Sequence, residues 1–544
     1  MLRGLIMDRP LLISSLIRHA ATVSADREMV SRSVEGPIHR TNYAEIHKRS
    51  RQLANALKML GVGMGDRVAT LGWNTWRHYE VYYAVSGSGA VTHTLNPRLH
   101  PSQLTYIMNH AEDVYVFVDL TFVPLIEAVI GELHGLKGVV VMTDRAHMPE
   151  SKVIKDLICY ETLIDSHSDD FEWPEFDENS ASSLCYTSGT TGNPKGALYS
   201  HRSTIIHGYA SALPDVLHLG EHEVVLPVVP MFHVNAWGIP YGATLAGSKL
   251  VMPGPKLDGE SIHELLAAEE VTMTAGVPTV WLSLLAYWRQ SGTRVPSLKR
   301  IVIGGSAAPQ SMIEAFQDEF GVEVRHAWGM TEMSPLGSFC LPKPSMKDAG
   351  KAALARLQRK QGRAVFGVEM RIVDDQGKEV PHDGKAFGEL QVRGPWITSN
   401  YFKQDRSDVH HEDGWFSTGD VCTIDPDGYM EITDRAKDVI KSGGEWISTI
   451  ELENFATGHP DVLQAAVIGV PHPKWDERPL LLVVPNPGRT PTHDSLIAYL
   501  SDKVAKWWLP DDTVVVDELP LGATGKILKT RLRELYGDHK LPTG

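Results

Sequence analysis

The stretch Tyr186-Thr187-Ser188-Gly189-Thr190-Thr191-Gly192-Asn193-Pro194-Lys195-Gly196 decides how the rest of the chain is understood. Four Ser/Thr hydroxyls and three glycines fall in eleven positions, with a lysine near the end. Glycines let successive backbone N–H groups turn toward one point and form an anion-binding nest. The hydroxyls add donors and Lys195 adds positive charge, which together describe a phosphate cradle. It is not a Walker loop, because Lys195 follows a proline and Gly196 stands where that motif needs Ser or Thr. By composition alone, a solvated linker has much the same look.

Outward from this loop the chain alternates between two kinds of segment. Residues 41–60 place apolar side chains at Tyr43, Ile46, Leu53, Leu57 and Leu60, the face of an amphipathic helix that Gly61 closes. Short apolar runs follow at 67–71, 114–118 and 139–142, and again at 224–227, 249–252 and 301–303, bounded by turn signals and separated by helical segments. This predicts an α/β fold: a large multi-subdomain N-terminal domain of mostly parallel sheets covered by helices. Beyond about residue 365 the runs at 369–373, 389–392 and 429–433 are separated by Asp/Gly turns, which predicts a small β-rich subdomain over about 365–436. The pattern then becomes mixed and ends in a basic helix over 526–536. A boundary is expected near Lys437, with residues 1–436 as the N-terminal domain. Residues 437–544 then form a small α+β domain, of a size to act as a mobile lid.

Composition narrows the function. The 544 residues are too many for one core. Hydrophobic content of 42% and charged content of 22% are those of an ordinary globular protein. A net charge of −15 without a basic patch argues against a nucleic-acid partner. No apolar run is long enough to predict a membrane span. The first ten residues carry Arg3, Asp8 and Arg9 and no apolar core, which is not the pattern of a signal peptide. Cys159, Cys185, Cys340 and Cys422 lack metal-ligand spacing and suit reduced thiols in a cytoplasmic protein, Cys185 as a structural residue.

Six further segments carry chemistry. In Gly304-Gly305-Ser306-Ala307-Ala308-Pro309 two glycines end an apolar run, where a flat ligand could approach the backbone; a plain strand–helix turn fits as well. His326-Ala327-Trp328-Gly329-Met330-Thr331-Glu332 ends on a carboxylate, a hard oxygen ligand for Mg²⁺ or an exposed cap. Ser417-Thr418-Gly419-Asp420 places an aspartate in a turn, where it could cap the backbone or accept from a vicinal diol. The run from Asp434 to Trp446 alternates charge with small residues and contains Gly443-Gly444. Pro520-Leu521-Gly522-Ala523-Thr524-Gly525-Lys526 sets a lysine before the basic helix, and Met231-Phe232-His233-Val234-Asn235-Ala236-Trp237 clusters aromatics around a histidine.

Taken in order, these motifs resemble those of the adenylate-forming enzymes: acyl-CoA synthetases, firefly-type luciferases and peptide-synthetase adenylation domains. The resemblance covers nearly the whole chain. It implies that Thr187, Ser188, Gly189, Thr190, Thr191, Gly192 and Lys195 hold the β- and γ-phosphates of ATP. Gly304, Gly305, Ser306, Ala307, Ala308 and Pro309 would meet adenine. His326, Ala327, Trp328, Gly329, Met330 and Thr331 would lie between adenine and the acyl group. Asp420 would bind the ribose hydroxyls, with Arg435 nearby. Glu332 and Thr187 would hold Mg²⁺, and the catalytic set is Lys526, Thr187, Glu332 and His233. Lys437 would be the hinge. Lys441, Ser442, Gly443, Gly444, Glu445 and Trp446 would line the route of coenzyme A.

The acyl pocket is expected from His233, an aromatic gate in the acyl-CoA synthetases, with Trp237, Val277, Gly304, Trp328, Gly329 and Pro335. Amino-acid-activating members place an aspartate near 233–235; His233 and Asn235 count against such a substrate. Trp328 stands where tyrosine is commoner, a form similar to the short- and medium-chain acyl-CoA ligases. The implied activity is ATP-dependent carboxylic acid–CoA ligation through an acyl-adenylate, on short or medium acids that include the thioether acid 3-methylmercaptopropionate, by a homodimer. Two rival functions remain at this level: loading of a carrier protein or luciferase-like chemistry, and nucleotide binding without catalysis.

Overall fold

The computed structural model describes residues 2–187, 193–346, 348–374, 376–405, 407–435, 437–442, 445–522 and 527–542, with only the backbone of Glu445 and Trp446. The expected amphipathic helix is Tyr43–Met59. The Asn42 side chain caps it by accepting from Glu45 N at 2.9 Å, and Gly61 follows with a φ of 74°. Its stripe of Tyr43, Ile46, Leu53 and Leu57 is buried, each side chain contributing about 1.5–3 kcal/mol.

Two sheets build the large domain. The first runs Leu157–Cys159, Gly138–Val141, Asp113–Val118, Arg67–Leu71, Val91–Thr94, Ala181–Tyr186, Gly196–Ser200. Every pair in it is parallel except the last, in which Tyr186 faces Gly196. The phosphate-type loop is therefore the connection of an edge hairpin. The second sheet has nine strands, with a parallel centre of Lys249–Met252, Val224–Pro227, Met273–Gly276, Arg300–Ile303 and Glu323–Gly329. Helix Trp76–Gly87 is buried along its whole length and packs on helices Ile13–Val23 and Tyr43–Met59.

Glu369–Val373, Phe387–Arg393, Phe416–Ile424 and Met430–Arg435 form an all-antiparallel sheet of four. The next strand, Ile440–Ser442, belongs to a different, five-stranded sheet with its own two apolar layers. The basic helix is Lys529–Tyr536, shorter than 526–536 because Leu528 precedes it as the N-cap; Lys526 lies outside the described residues.

Candidate active site

The carboxyl ends of the parallel strands open on a cavity of about 1010 Å³. Most of the predicted segments meet there. Strand Arg300–Ile303 pairs in parallel with Glu323–Gly329, so Ile303 lies beside His326 and their following turns are neighbours. His326 through Glu332 all line the cavity, as do Gly304, Gly305, Ser306, Ala307 and Pro309. Ala308 does not; its methyl packs in the apolar cluster beneath the turn. A Cβ on Gly304 would stand 3.0 Å from the Trp237 ring, so glycine there lets the indole come against the strand end. Gly337 does the same for Trp328, whose ring carbons lie 2.5 Å from where a Cβ would be. Burial lowers the His326 imidazole to about 4, so it is neutral at physiological pH.

The nucleotide side is built from paired polar groups. Asp420, buried on strand Phe416–Ile424, accepts from Trp328 Nε1 at 3.0 Å through Oδ2 and pairs with Arg435 Nε at 2.8 Å through Oδ1. Arg435 also donates to the Thr418 carbonyl at 3.2 Å. Glu332 is buried, and Tyr401 donates to its Oε1 at 2.8 Å. Burial raises the Glu332 carboxyl despite that bond and the charges of Arg435 and Lys195. The ammonium of Lys195 sits 4.8 Å over the ring of Tyr401. Thr187 and Lys195 close the hairpin: Thr187 N donates to the Lys195 carbonyl at 2.9 Å, and Lys195 N to Thr187 Oγ1 at 3.2 Å. Ser188, Gly189, Thr190, Thr191 and Gly192 lie outside the described residues. One buried carboxylate and one hydroxyl on the same chamber are a donor set that fits Mg²⁺, a hard cation that keeps waters and phosphate ligands. Tyr401, which touches Glu332 and stacks under Lys195, carries no motif and was not legible from the sequence.

The acyl side differs in detail from expectation. His233, Trp237 and Pro335 line the cavity. Val277 does not: it is the extended N-cap of helix Pro278–Ser291, and Pro278 and Thr279 face the cavity instead. Asn235 does not line the cavity either, which removes its weight against an amino-acid substrate. Its Nδ2 donates to Ser183 Oγ at 2.9 Å, and its Oδ1 accepts from Cys185 Sγ and Tyr82 OH, each at 3.4 Å. Burial pushes the Cys185 thiol up to about 11, so it is protonated and structural. Val234, Asn235, Ala236 and Trp237 all have left-handed backbones, with φ from 46° to 57°. Such a run of non-glycine residues is strained and is held by its surroundings.

The C-terminal sheet closes one end. Lys437 and Asp438 line the cavity, and Asp438 pairs with Arg533 at 2.6 Å. Asp434 accepts from both N and Oγ1 of Thr449 at 2.7 Å, and Lys529 pairs with Glu453 at 2.9 Å. Leu521, Gly522, Ile527 and Leu528, on either side of the undescribed 523–526, line the cavity. Lys441 and Ser442 do not: Lys441 N donates to Glu477 at 3.0 Å, and Ser442 is buried beside Asp476. Gly443 and Gly444 lie outside the described residues.

The AMP-binding enzyme family matches residues 17–402, and the AMP-binding enzyme C-terminal domain matches residues 451–526. The chain is 52% identical over 535 residues to a 3-methylmercaptopropionyl-CoA ligase of Ruegeria lacuscaerulensis, covering 98% of this chain and 99% of that one. It is equally, 52%, identical to a medium-chain-fatty-acid–CoA ligase of Ectopseudomonas oleovorans, covering 98% of both. Its fold is similar to the crystal structure of the anthranilate–CoA ligase AuaEII in complex with anthranoyl-AMP, with a TM-score of 0.87 at 25% identity over 97% of this chain and 98% of that one.

Proposed function

Because the chain belongs to the AMP-binding enzyme family and is an AMP-forming acid–CoA ligase using ATP and CoA, we propose that it activates short- and medium-chain acids, 3-methylmercaptopropionate foremost. The observation that carries this reading is the Trp237 ring against Gly304, which walls the cavity at the strand ends. A narrow, apolar wall suits a short thioether or alkyl chain. The relatives at 52% identity are named for such acids.

In the first step a carboxylate oxygen of the acid attacks the α-phosphorus of ATP, and pyrophosphate departs with the bonding electrons. Thr187, the 188–192 loop and Lys195 hold the departing phosphates. Trp328 and Asp420 hold the nucleoside. Lys526 offsets the repulsion between the two anions and the charge that builds at phosphorus. Glu332 and Thr187 would hold Mg²⁺, which neutralises phosphate charge when bound. In the second step the CoA sulfur attacks the acyl carbon, the C–O bond breaks, and AMP leaves. Residues 437–544 turn about Lys437 between the steps, withdrawing Lys526 and bringing in the segment of sequence that includes Gly443 and Gly444. The neighbours of Lys526 border the cavity while Lys441 and Ser442 stand away, which supports an adenylation pose.

We also take the protein to be a cytoplasmic homodimer. All four cysteines are free thiols, and Leu2, Leu5 and Ile6 leave an apolar N-terminal segment exposed for a second copy. No helix among the described residues is long and apolar enough to cross a membrane.

The test is coupled AMP release with straight-chain acids of about two to twelve carbons, 3-methylmercaptopropionate and benzoate. Each methylene that the cavity buries adds about 0.8 kcal/mol, so kcat/KM should climb with chain length, stop climbing once the acyl side is filled, and fall where a longer chain clashes with the wall. A preference for the longest acids or for benzoate would refute the substrate assignment.

A further inference from the structure

A second polar cluster joins the two large sheets, and none of its members lines the substrate cavity. Arg49 is shared between Glu80, at 2.6 Å, and Glu161, at 3.1 Å. Arg77 is shared between Glu161 and Glu35, at 2.7 Å each. Glu35 sits in the turn between strands Glu28–Arg32 and Ile38–Asn42, with its side chain only 5% exposed. Its Oε1 is satisfied by Arg77 and by the Thr143 hydroxyl at 2.7 Å. Its Oε2 is buried and has no hydrogen-bond partner among the described residues. A buried carboxylate oxygen without a partner is costly and calls for an explanation.

Asp144 and His147 stand beside it. One ligand atom from each of Glu35, Asp144 and His147 lies within 4.8 Å of the others. Asp144 caps the short 3₁₀ turn Arg145–His147, accepting from Ala146 N at 2.8 Å and His147 N at 3.0 Å. Its Oδ1 also lies 2.8 Å from His147 Nδ1. The turn follows strand Gly138–Val141, so two of the groups are fixed by a capped turn and the third by the hairpin across from it. Arg77 reaches Glu35 only through Oε1 and is shared with Glu161, and Arg49 is taken up by Glu80 and Glu161, so neither guanidinium serves Glu35 Oε2.

We propose that Glu35, Asp144 and His147 form a structural divalent-cation site that clamps the 28–42 hairpin to the carboxyl end of strand Gly138–Val141. Two carboxylates and one imidazole are a mixed oxygen–nitrogen set that selects Zn²⁺ over Mg²⁺ or Ca²⁺, with water completing the tetrahedron. The ion supplies the missing partner of Glu35 Oε2. The site is distinct from the Glu332 and Thr187 pair on the chamber, and its failure would leave the ligase reading intact.

The experiment uses the full chain, stripped with chelator and kept free of nucleotide. Calorimetric titration with ZnCl₂ should give one equivalent bound, and the thermal midpoint should rise with zinc. His147 is exposed, so His147→Ala should fold normally and weaken binding by at least about tenfold. Glu35→Gln should weaken it similarly, and His382→Ala, at a separate exposed histidine, should change nothing. Co²⁺ in place of Zn²⁺ should give a visible absorption band in the wild type that His147→Ala loses. Absence of stoichiometric zinc binding, or one equivalent bound with unchanged affinity in His147→Ala, overturns the proposal.

Discussion

The indole N–H of Trp328 and the guanidinium of Arg435 grip opposite oxygens of the Asp420 carboxylate, at 3.0 and 2.8 Å. Trp328 belongs to the nine-stranded sheet, and Asp420 and Arg435 belong to the small antiparallel one, so the carboxylate is aimed by both.

Trp328→Phe keeps an aromatic ring and removes the N–H. A hydrogen bond to a charged group is worth about 1.5–3 kcal/mol, so KM for ATP should rise by roughly tenfold with kcat less affected. Asp420→Ala should weaken ATP binding at least as much, and should also lower the thermal midpoint, because it leaves the buried Trp328 N–H and the Arg435 guanidinium without their shared carboxylate. Steady-state kinetics at saturating acid decide the matter; an unchanged KM for ATP in Trp328→Phe means that Asp420 is aimed by other groups.

Trp237→Ala should deepen the acyl side. Each additional buried methylene is worth about 0.8 kcal/mol, or about fourfold in specificity, and the preferred chain should lengthen. The chain-length profile of kcat/KM reads this directly. An unchanged profile in a folded variant would make Trp237 a packing residue.

The hinge is tested by separating the half-reactions. Proline at 437 fixes φ near −65° and removes an N–H. Lys437→Pro should retain acid-dependent ATP–pyrophosphate exchange and lose acyl-CoA formation from preformed adenylate. Lys526→Ala should do the opposite. Equal loss of both halves in both variants would contradict the division of labour between the two poses.

Asp119 offers a stability test by pH. Burial raises its carboxyl to about 7, against which the Trp73 N–H, donating at 2.6 Å, works only in part. Below its unfolded value both states hold the proton, and no penalty exists. As pH rises toward 7 the unfolded chain ionises first and stability falls; above 7 the penalty is constant. Asp119→Asn should therefore match the wild type near about pH 4, gain a growing advantage in thermal midpoint up to neutrality, and keep it beyond. A constant difference at all pH values would show that Asp119 does not titrate in this range.

How far the sequence disclosed these features follows from what each feature depends on. Runs at 67–71, 224–227, 249–252 and 369–373 have those bounds as strands, because a short run with turn signals at both ends has little room to shift. Helix Trp76–Gly87 left no periodic stripe, because it is buried on every side and needs none. The chamber's motif residues were legible because glycines and charges in fixed order are rare. Tyr401, Pro278 and the Glu35–Asp144–His147 group were not, since each gains its meaning from a partner far away in the chain. Asn235 misled for the same reason: its neighbours His233, Val234 and Trp237 line the cavity, while a left-handed backbone turns its own amide toward Ser183.

That left-handed run sets the direction in which this enzyme can drift. Each non-glycine residue in such a conformation gives up roughly 1–2 kcal/mol, and glycine at Ala236 would recover part of it. The same change would loosen the rim that carries Trp237. If Trp237 borders the acid, relaxed discrimination among acids and greater thermal stability lie along one mutational path.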